Sequence, residues 1–336
     1  SIFGISGLEL LILVINYAIA LAVLRIVTRK ASGDITSARA VTVTVNCTAV
    51  VAITWASLGF WLVDAVARAS GPTVRVAAVQ PGNFQATLGA APTAAQLTQI
   101  QDALAEQTRQ AAAQGAQLVV WPEESLPFPP LQGPRDAQAW FRDLLSSTGV
   151  FIVTGYVNPL PGGGYENQAG IFSPAGIQLG TYTKAHHAPF DNDDFPVGTS
   201  FPAFATDLAN IGMVICFDYD FPYTTRYTTL SGANLIAAPA WQFGALARIG
   251  EEQKLILDAV ASRVPAVSAD LAWTSIIVQA NGHVVAQALD ARDTIANLTY
   301  NAHIGTAGAR LKAGDRGGNF LKDVAHWIAD SIERDE

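Results

Sequence analysis

The sequence predicts an α/β domain with a mixed sheet, preceded by two membrane-spanning helices. Three observations predict it. Two apolar stretches near the start are each long enough to cross a hydrocarbon core, which takes ~20 apolar residues in a helix. After them, short runs rich in Val and Ile alternate with helical patterns. Some of those runs follow one another across a tight turn, so part of the sheet is antiparallel. The chain has 336 residues, of which half are apolar and 14% charged, with a mean hydropathy of +0.26. A typical soluble domain is about a quarter charged. A disordered chain is therefore excluded, and the apolar excess must have a location.

That location is the front. Gly7 to Val27 is interrupted only by Glu9, Asn16 and Arg25, and Ala40 to Val63 carries no charge. The first stretch lacks the basic start of a signal peptide and is longer than its apolar core. Two buried core helices would show a polar face, and these show little of one. Asn16, Thr42, Thr44, Asn46, Thr48 and Thr54 sit within the spans, where such groups usually face other helices. Trp55 and Trp61 near the end of the second span fit an interfacial belt. The chain starts at Ser1 and has Met213 as its single methionine, so further membrane helices are expected before residue 1. The linker 25–39 holds Arg25, Arg29, Lys30 and Arg39 against Asp34. The positive-inside rule makes it cytoplasmic and puts everything after the second span on the outer side. Residues 1–71 hold five Lys/Arg and three Asp/Glu, which leaves fifteen and twenty-five for the rest. An acidic outer domain excludes nucleic acid as the expected partner.

Gly71-Pro72 marks the exit. TVRVAAVQ (73–80) reads as a buried strand, and 93–113 as a helix closed by Gly115. The strand LVVW (118–121), a helix near 135–147 and the strand VFIVTGYV (150–157) follow. NQAGIF and IQLGTYTK flank a turn at Ser173–Gly176. IGMVIC (211–216) reads as a buried strand, with a short helix at 222–231 and the strand NLIAAP (234–239) after it. The helix 250–263 precedes PAVSAD, then TSIIVQ and HVVAQA, joined by the hairpin dipeptide Asn281-Gly282. The expected domains are 1–70 (two membrane helices), 71–310 (the α/β domain) and 311–336 (a tail). In the tail Phe320, Val324, Trp327, Ile328 and Ile332 recur at helical spacing, as in an amphipathic helix. Segments 83–92, 126–134 and 190–205 are rich in Pro, Gly and Phe and are candidate lid loops.

Cys216 is the only cysteine beyond the membrane part; Cys47 lies in the second span, so no disulfide framework exists. A lone thiol in an oxidising compartment is a liability unless used, and Cys216 ends a buried strand, where α/β folds place functional residues. An inert core thiol is the bland alternative. A free thiol has a pKa of ~8.5 and needs a base or a cation to act as a nucleophile. No Ser-His-Asp or Cys-His-Asn pattern is legible. His186 and His187, with Asp191, Asp193 and Asp194, match no metal-ligand spacing and read as solvated loop residues. Gly162-Gly163-Gly164 is a turn rather than a phosphate loop, and Asn297-Leu298-Thr299 is a glycosylation sequon by pattern only. Carboxylates and a lysine stand at strand ends instead: Glu123 and Glu124 after LVVW-Pro, and Lys184 after LGTYT. A Glu base, a Lys cation and a Cys nucleophile suit acyl transfer.

VAAVQ, LVVWPEES, YTKAHHAPF and GMVICFDYDFP occur in that order. Together they resemble the carbon–nitrogen hydrolase (nitrilase) superfamily over about residues 72–290. The resemblance implies an α-β-β-α sandwich, a catalytic triad of Glu123, Lys184 and Cys216, and no metal or cofactor. Glu124 would be a solvated neighbour. Membrane helices before the domain, the Lys184 run and the segment 239–267 resemble the apolipoprotein N-acyltransferase branch. That branch moves an acyl chain from a phospholipid to a cysteine thioester, then to the N-terminal amine of a lipoprotein. The implied location is a bacterial-type plasma membrane with the domain on the extracytoplasmic side. There are departures. Asn192 stands where the acyltransferases carry a second Glu, so a role in orienting Lys184 is weakened or moved. Phe217-Asp218 replaces Tyr-Glu; Asp218 keeps a supporting carboxylate, and the Phe217 N–H still offers an oxyanion donor. The resemblance also leads to the expectation of a Trp in QPGNFQATLGAAP, which has none, and of a final membrane helix, where 311–336 instead has the amphipathic pattern. Two other readings stay open: a membrane-tethered amidase or nitrilase that uses water on a small C–N substrate, and a non-catalytic binding module on the same fold.

Overall fold

Alternation along the strands sets the layers. In β1 (Thr73–Gln80), Val76 and Ala78 point to one face while Ala77 and Val79 point to the other, and all four are fully buried. A strand covered on both faces belongs inside a layered domain. The computed structural model describes residues 4–28, 38–67, 72–81, 93–188, 196–242, 245–271, 273–288 and 296–303. The chain divides into two compact units, Ser1–Ala69 and Ser70–Glu336.

The first unit holds α1 (Gly4–Thr28) and α2 (Ala38–Ala67). Both are long and apolar enough to cross a membrane. Ala18, Val41 and Thr48 are buried, whereas large side chains such as Leu10, Leu13, Ile26, Ile53 and Phe60 are uncovered. Apolar surface on this scale calls for lipid or further protein around it.

The second unit contains two six-stranded sheets. The first runs β12-β1-β2-β3-β4-β5, with β2 (Leu118–Val120), β3 (Phe151–Pro159), β4 (Tyr165–Phe172), β5 (Gln178–Thr183) and β12 (Ala296–His303). β1, β2 and β3 are parallel, while β4, β5 and β12 join antiparallel. The second runs β11-β10-β9-β8-β7-β6, with β6 (Ala203–Ala205), β7 (Asn210–Met213), β8 (Leu235–Ala240), β9 (Ala266–Asp270), β10 (Ser275–Val278) and β11 (Val284–Ala288). Here β7, β8 and β9 form the parallel centre. Val76, Leu118, Val153, Ile211, Leu235, Val267 and Ile277 fill the space between the sheets. On the outer face of the first sheet, Val79, Val119, Trp121 and Ile152 pack with Leu104 and Ala105 of α3 (Ala94–Ala113) and Phe141, Leu144 and Leu145 of α4 (Arg135–Thr148). The short helix α5 (Pro222–Leu230) follows β7, and on the outer face of the second sheet Ile236, Ala238 and Ile276 pack with Leu255 and Ala259 of α6 (Ala245–Ser262). The layers are therefore helix, sheet, sheet, helix, the sandwich that the motifs implied.

Local signals match their elements. Thr93 caps α3, its hydroxyl accepting from Gln96 N at 3.3 Å while the Gln96 side chain accepts from Thr93 N at 2.9 Å. Gly149 closes α4 with φ +68°, and Gly282 turns the β10–β11 hairpin with φ +84°. Three elements differ from expectation. The strand expected through Cys216 stops at Met213, and residues 216–220 form a short 3₁₀ helix. β6 and β12 were not anticipated. The sequon-like Asn297-Leu298-Thr299 lies in β12, opposite Val79, Ala78 and Ala77 of β1. The tail 311–336 and the segment 83–92 lie outside the described residues. The candidate lid 126–134 is folded onto the domain, with Leu126 buried and Leu131 packed on the outer core.

Candidate active site

Glu123 follows β2 by three residues. The Trp121 ring holds the strand end from the helical side: Nε1–H donates to Thr108 Oγ1 at 2.9 Å, and the ring meets Phe141 edge-on at 5.6 Å. Pro122 has no N–H and ends the ladder. Ser125 Oγ donates to Pro122 O at 2.7 Å, and Glu124 takes φ +49°, so the chain turns sharply. β3 passes directly beneath. A Cβ on Gly155 would stand 2.5 Å from Glu123 Cα and 2.7 Å from Pro122 O. Only glycine lets these two backbones approach so closely.

Lys184 follows β5. Its N–H donates to Asn167 O at 2.9 Å, and its carbonyl accepts from Gly198 N at 2.8 Å. The two side chains meet: Lys184 Nζ lies 2.9 Å from Glu123 Oε1, and both residues are at most 4% exposed. A buried ion pair holds only with good geometry and further hydrogen bonds. Asn167, itself buried on β4, supplies one, its Nδ2–H donating to Glu123 Oε1 at 2.8 Å and to Glu124 Oε1 at 3.2 Å. Glu124 is half-buried and shares this amide, so it is not the solvated neighbour expected from its place in the sequence.

Cys216 opens the 3₁₀ helix with φ +45°, in the left-handed region. A non-glycine residue held there is strained, and such strain clusters at functional sites. Its Sγ–H donates to Trp241 O at 3.5 Å, while the neighbouring Ala240 O accepts from Glu123 N at 3.3 Å. Two consecutive carbonyls at the end of β8 thus tie the thiol and the Glu123 backbone to one stretch of chain. Asp270 holds that stretch, accepting from Gln242 N at 2.8 Å.

Asp218 joins the lysine to the cysteine. It is fully buried. Oδ1 accepts from Ala185 N at 3.0 Å, His186 N at 2.9 Å and His186 Nδ1 at 2.9 Å. Oδ2 accepts from the Tyr182 hydroxyl at 2.7 Å and Ile215 N at 3.0 Å. One carboxylate therefore grips the residues on both sides of Lys184 and the residue before Cys216. Burial, then the Asp218 charge, push the Tyr182 hydroxyl well above its usual pKa, so it stays a donor. His186 is part of this network rather than a solvated loop residue. Its ring stacks on Phe221 at 3.8 Å and its Nε2 meets the Tyr223 hydroxyl. With Asp218 facing Nδ1, that nitrogen carries the proton. Burial and then Asp218 also raise the Tyr223 pKa, so Tyr223 donates to Nε2.

Phe217 is half-buried, its ring edge-on to Phe221 at 5.6 Å. Asn192, Asp191, Asp193 and Asp194 lie outside the described residues. Among the described residues no three His, Cys, Asp or Glu side chains are placed to hold a metal ion. Asn167 was missed by the sequence reading. Its signal was an amide, a poor strand former, at the start of the run NQAGIF, where alternation sets Asn167 on the face of Ala169 and Ile171 and its neighbour Gln168 on the other.

Residues 75–301, more than half of the chain, match the family model described as carbon-nitrogen hydrolase. A nitrilase from Pyrococcus abyssi is 32% identical over 147 residues, covering 39% of this chain and 55% of that protein. An apolipoprotein N-acyltransferase from Geobacter metallireducens is 28% identical over 202 residues, covering 53% and 39%. The chain thus spans about half the length of the first relative and less of the second. Among solved structures, an amidase double mutant from Nesterenkonia sp. AN1 in complex with acrylamide superposes with a TM-score of 0.56 at 18% identity, covering 69% of this chain and 92% of that one. At that identity the likeness speaks for the fold.

Proposed function

Because this chain belongs to the carbon–nitrogen hydrolase family, we propose that it is a membrane-anchored acyltransferase that works through a thioester on Cys216. Glu123 is the base, Lys184 the cation, and Asp218 the support that holds the two halves of the site together. Glu123 takes the Cys216 proton, and the sulfur attacks the ester carbonyl of a phospholipid. Lys184 and the Phe217 N–H stabilise the oxyanion, and Glu123 returns the proton to the leaving alcohol. The amine of a lipoprotein N-terminus then attacks the thioester, again with Glu123 as base. No step calls for a metal or cofactor.

The buried Glu123–Lys184 pair, tied through Ala240 and Trp241 to Cys216, supports the chemistry. One observation favours acyl transfer over hydrolysis: two uncovered apolar helices precede the domain. A site anchored to a bilayer suits a donor and an acceptor that are both held there, with the domain on the extracytoplasmic side. A tethered amidase is the second reading, favoured by Asp218 in place of the acyltransferases' Glu. The two differ in what attacks the thioester. The full chain is loaded with a phospholipid and given a diacylglyceryl-cysteine lipopeptide in water. Acyl transfer predicts amide on the lipopeptide as the main product. Free fatty acid alone, whatever the lipopeptide concentration, would contradict it.

A further inference from the structure

Asn167 touches both charged members of the site. Its carbonyl accepts from Lys184 N at 2.9 Å, and its amide donates to Glu123 Oε1 at 2.8 Å. Lys184 Nζ lies on that same oxygen. Oε1 therefore receives two donors, while Oε2 receives none from the described residues. The amide orientation is settled by its surroundings. The Nδ2 group faces two carboxylates, Glu123 and Glu124, and a flipped amide would set its oxygen against both. In the orientation observed, Oδ1 is buried without a partner among the described residues. An unpartnered buried oxygen is costly, so the residue is held here by what its other end does.

We infer that Asn167 is the positioning residue that makes the two oxygens of Glu123 unequal. It fixes Oε1 in the lysine pair and leaves Oε2 to take the cysteine proton. The inference rests on the reading of Glu123 as base. In that step the S–H bond of Cys216 breaks, an Oε2–H bond forms, and the bonding electron pair stays on sulfur. A carboxylate held by one donor fewer keeps its proton to higher pH. Its orientation is also looser, because a single contact to a flexible lysine does not define a plane.

The test is the pH dependence of Cys216 alkylation by iodoacetamide in the detergent-solubilised full chain, followed by intact mass. The wild type labels with an acid limb well below the ordinary thiol midpoint of ~8.5. Asn167→Ala moves that limb up by about 1 pH unit, a roughly tenfold slower reaction on the limb. Asn167→Asp, which adds a third carboxylate, moves it further. Asn158→Ala removes an amide–carboxylate bond between β3 and β4, Asn158 Nδ2 to Glu166 Oε2 at 3.0 Å, away from Glu123, and leaves the limb in place. Asn167→Ser replaces Asn167→Ala should the latter not melt cooperatively. Glu123→Gln sends the midpoint to the ordinary thiol range. A Glu123→Gln variant that keeps the wild-type limb overturns the base assignment itself. A Glu123→Gln shift with Asn167 variants that keep the wild-type limb overturns the role of Asn167 alone.

Discussion

Asp218→Asn is the perturbation that tests how the site is assembled. The carboxylate accepts five hydrogen bonds, three on Oδ1 and two on Oδ2. An amide keeps one oxygen, which is best spent on Ala185 N, His186 N and His186 Nδ1. The new NH2 then faces the Tyr182 hydroxyl and Ile215 N. The hydroxyl can rotate and accept; the backbone N–H cannot. A buried donor left without an acceptor costs ~1–3 kcal/mol. The remaining bonds lose the charge that made them roughly twice as strong as neutral ones. The two effects together come to about 3 kcal/mol or more. For a domain of this size that lowers the Tm by about 6–12 °C. Thermal unfolding followed by tryptophan fluorescence reads it, and acylation by the donor ester falls in parallel because Ile215, the residue before Cys216, loses its backbone anchor. An Asn variant that melts within about 2 °C of the wild type would show that Asp218 is not the clamp described.

Two further predictions concern the backbone beneath Glu123 and a buried acid outside the site. Gly155→Ala pushes a methyl group into Glu123 Cα and Pro122 O, and it lowers acyl-enzyme formation by a factor of about 100 or more while the domain still folds, since a misplacement of ~1 Å costs that much. Rapid-quench mass analysis beside a melting curve checks it. Asp258 of α6 is 3% exposed and bonded by the Thr225 hydroxyl at 2.7 Å; burial first, and then the nearby Asp220 charge, raise its pKa to about 7. The folded state therefore binds this proton more tightly than the unfolded chain, whose value is near 3.8. The associated stability is full below 3.8, declines as pH rises toward about 7, and is gone above it. Asp258→Asn, neutral at all pH, gains in Tm over the wild type from pH 4 to pH 7 and holds a constant advantage beyond; a difference that does not vary with pH contradicts the raised pKa.

The layers of the fold were legible because burial on both faces leaves a simple pattern, as in VAAVQ and LVVW, and because Asn281-Gly282 and Gly149 mark turns by backbone geometry. The end of β7 was not. IGMVIC reads as one apolar strand, but Ile215 N is taken by the Asp218 carboxylate instead of a neighbouring strand. A side chain three residues ahead ends the ladder and throws Cys216 into its strained conformation. β6 is three residues long, too short for any periodicity. The same limit applied to the site. Glu123, Lys184 and Cys216 stand in recognisable runs, and the structure brings Glu123 and Lys184 into contact. His186 and Glu124 looked like loop residues because their partners, Asp218 and Asn167, lie 32 and 43 positions away in the chain. Partners at that separation come from sheet register, which local sequence does not carry.

The central claim is a thioester on Cys216. Its most direct measurement is the intact mass of the full chain after incubation with a phospholipid. The wild type gains one acyl chain that hydroxylamine removes, and Cys216→Ala gains none. An adduct of undiminished yield on Cys216→Ala would contradict the account, because the sulfur would then not be the atom that holds the acyl group.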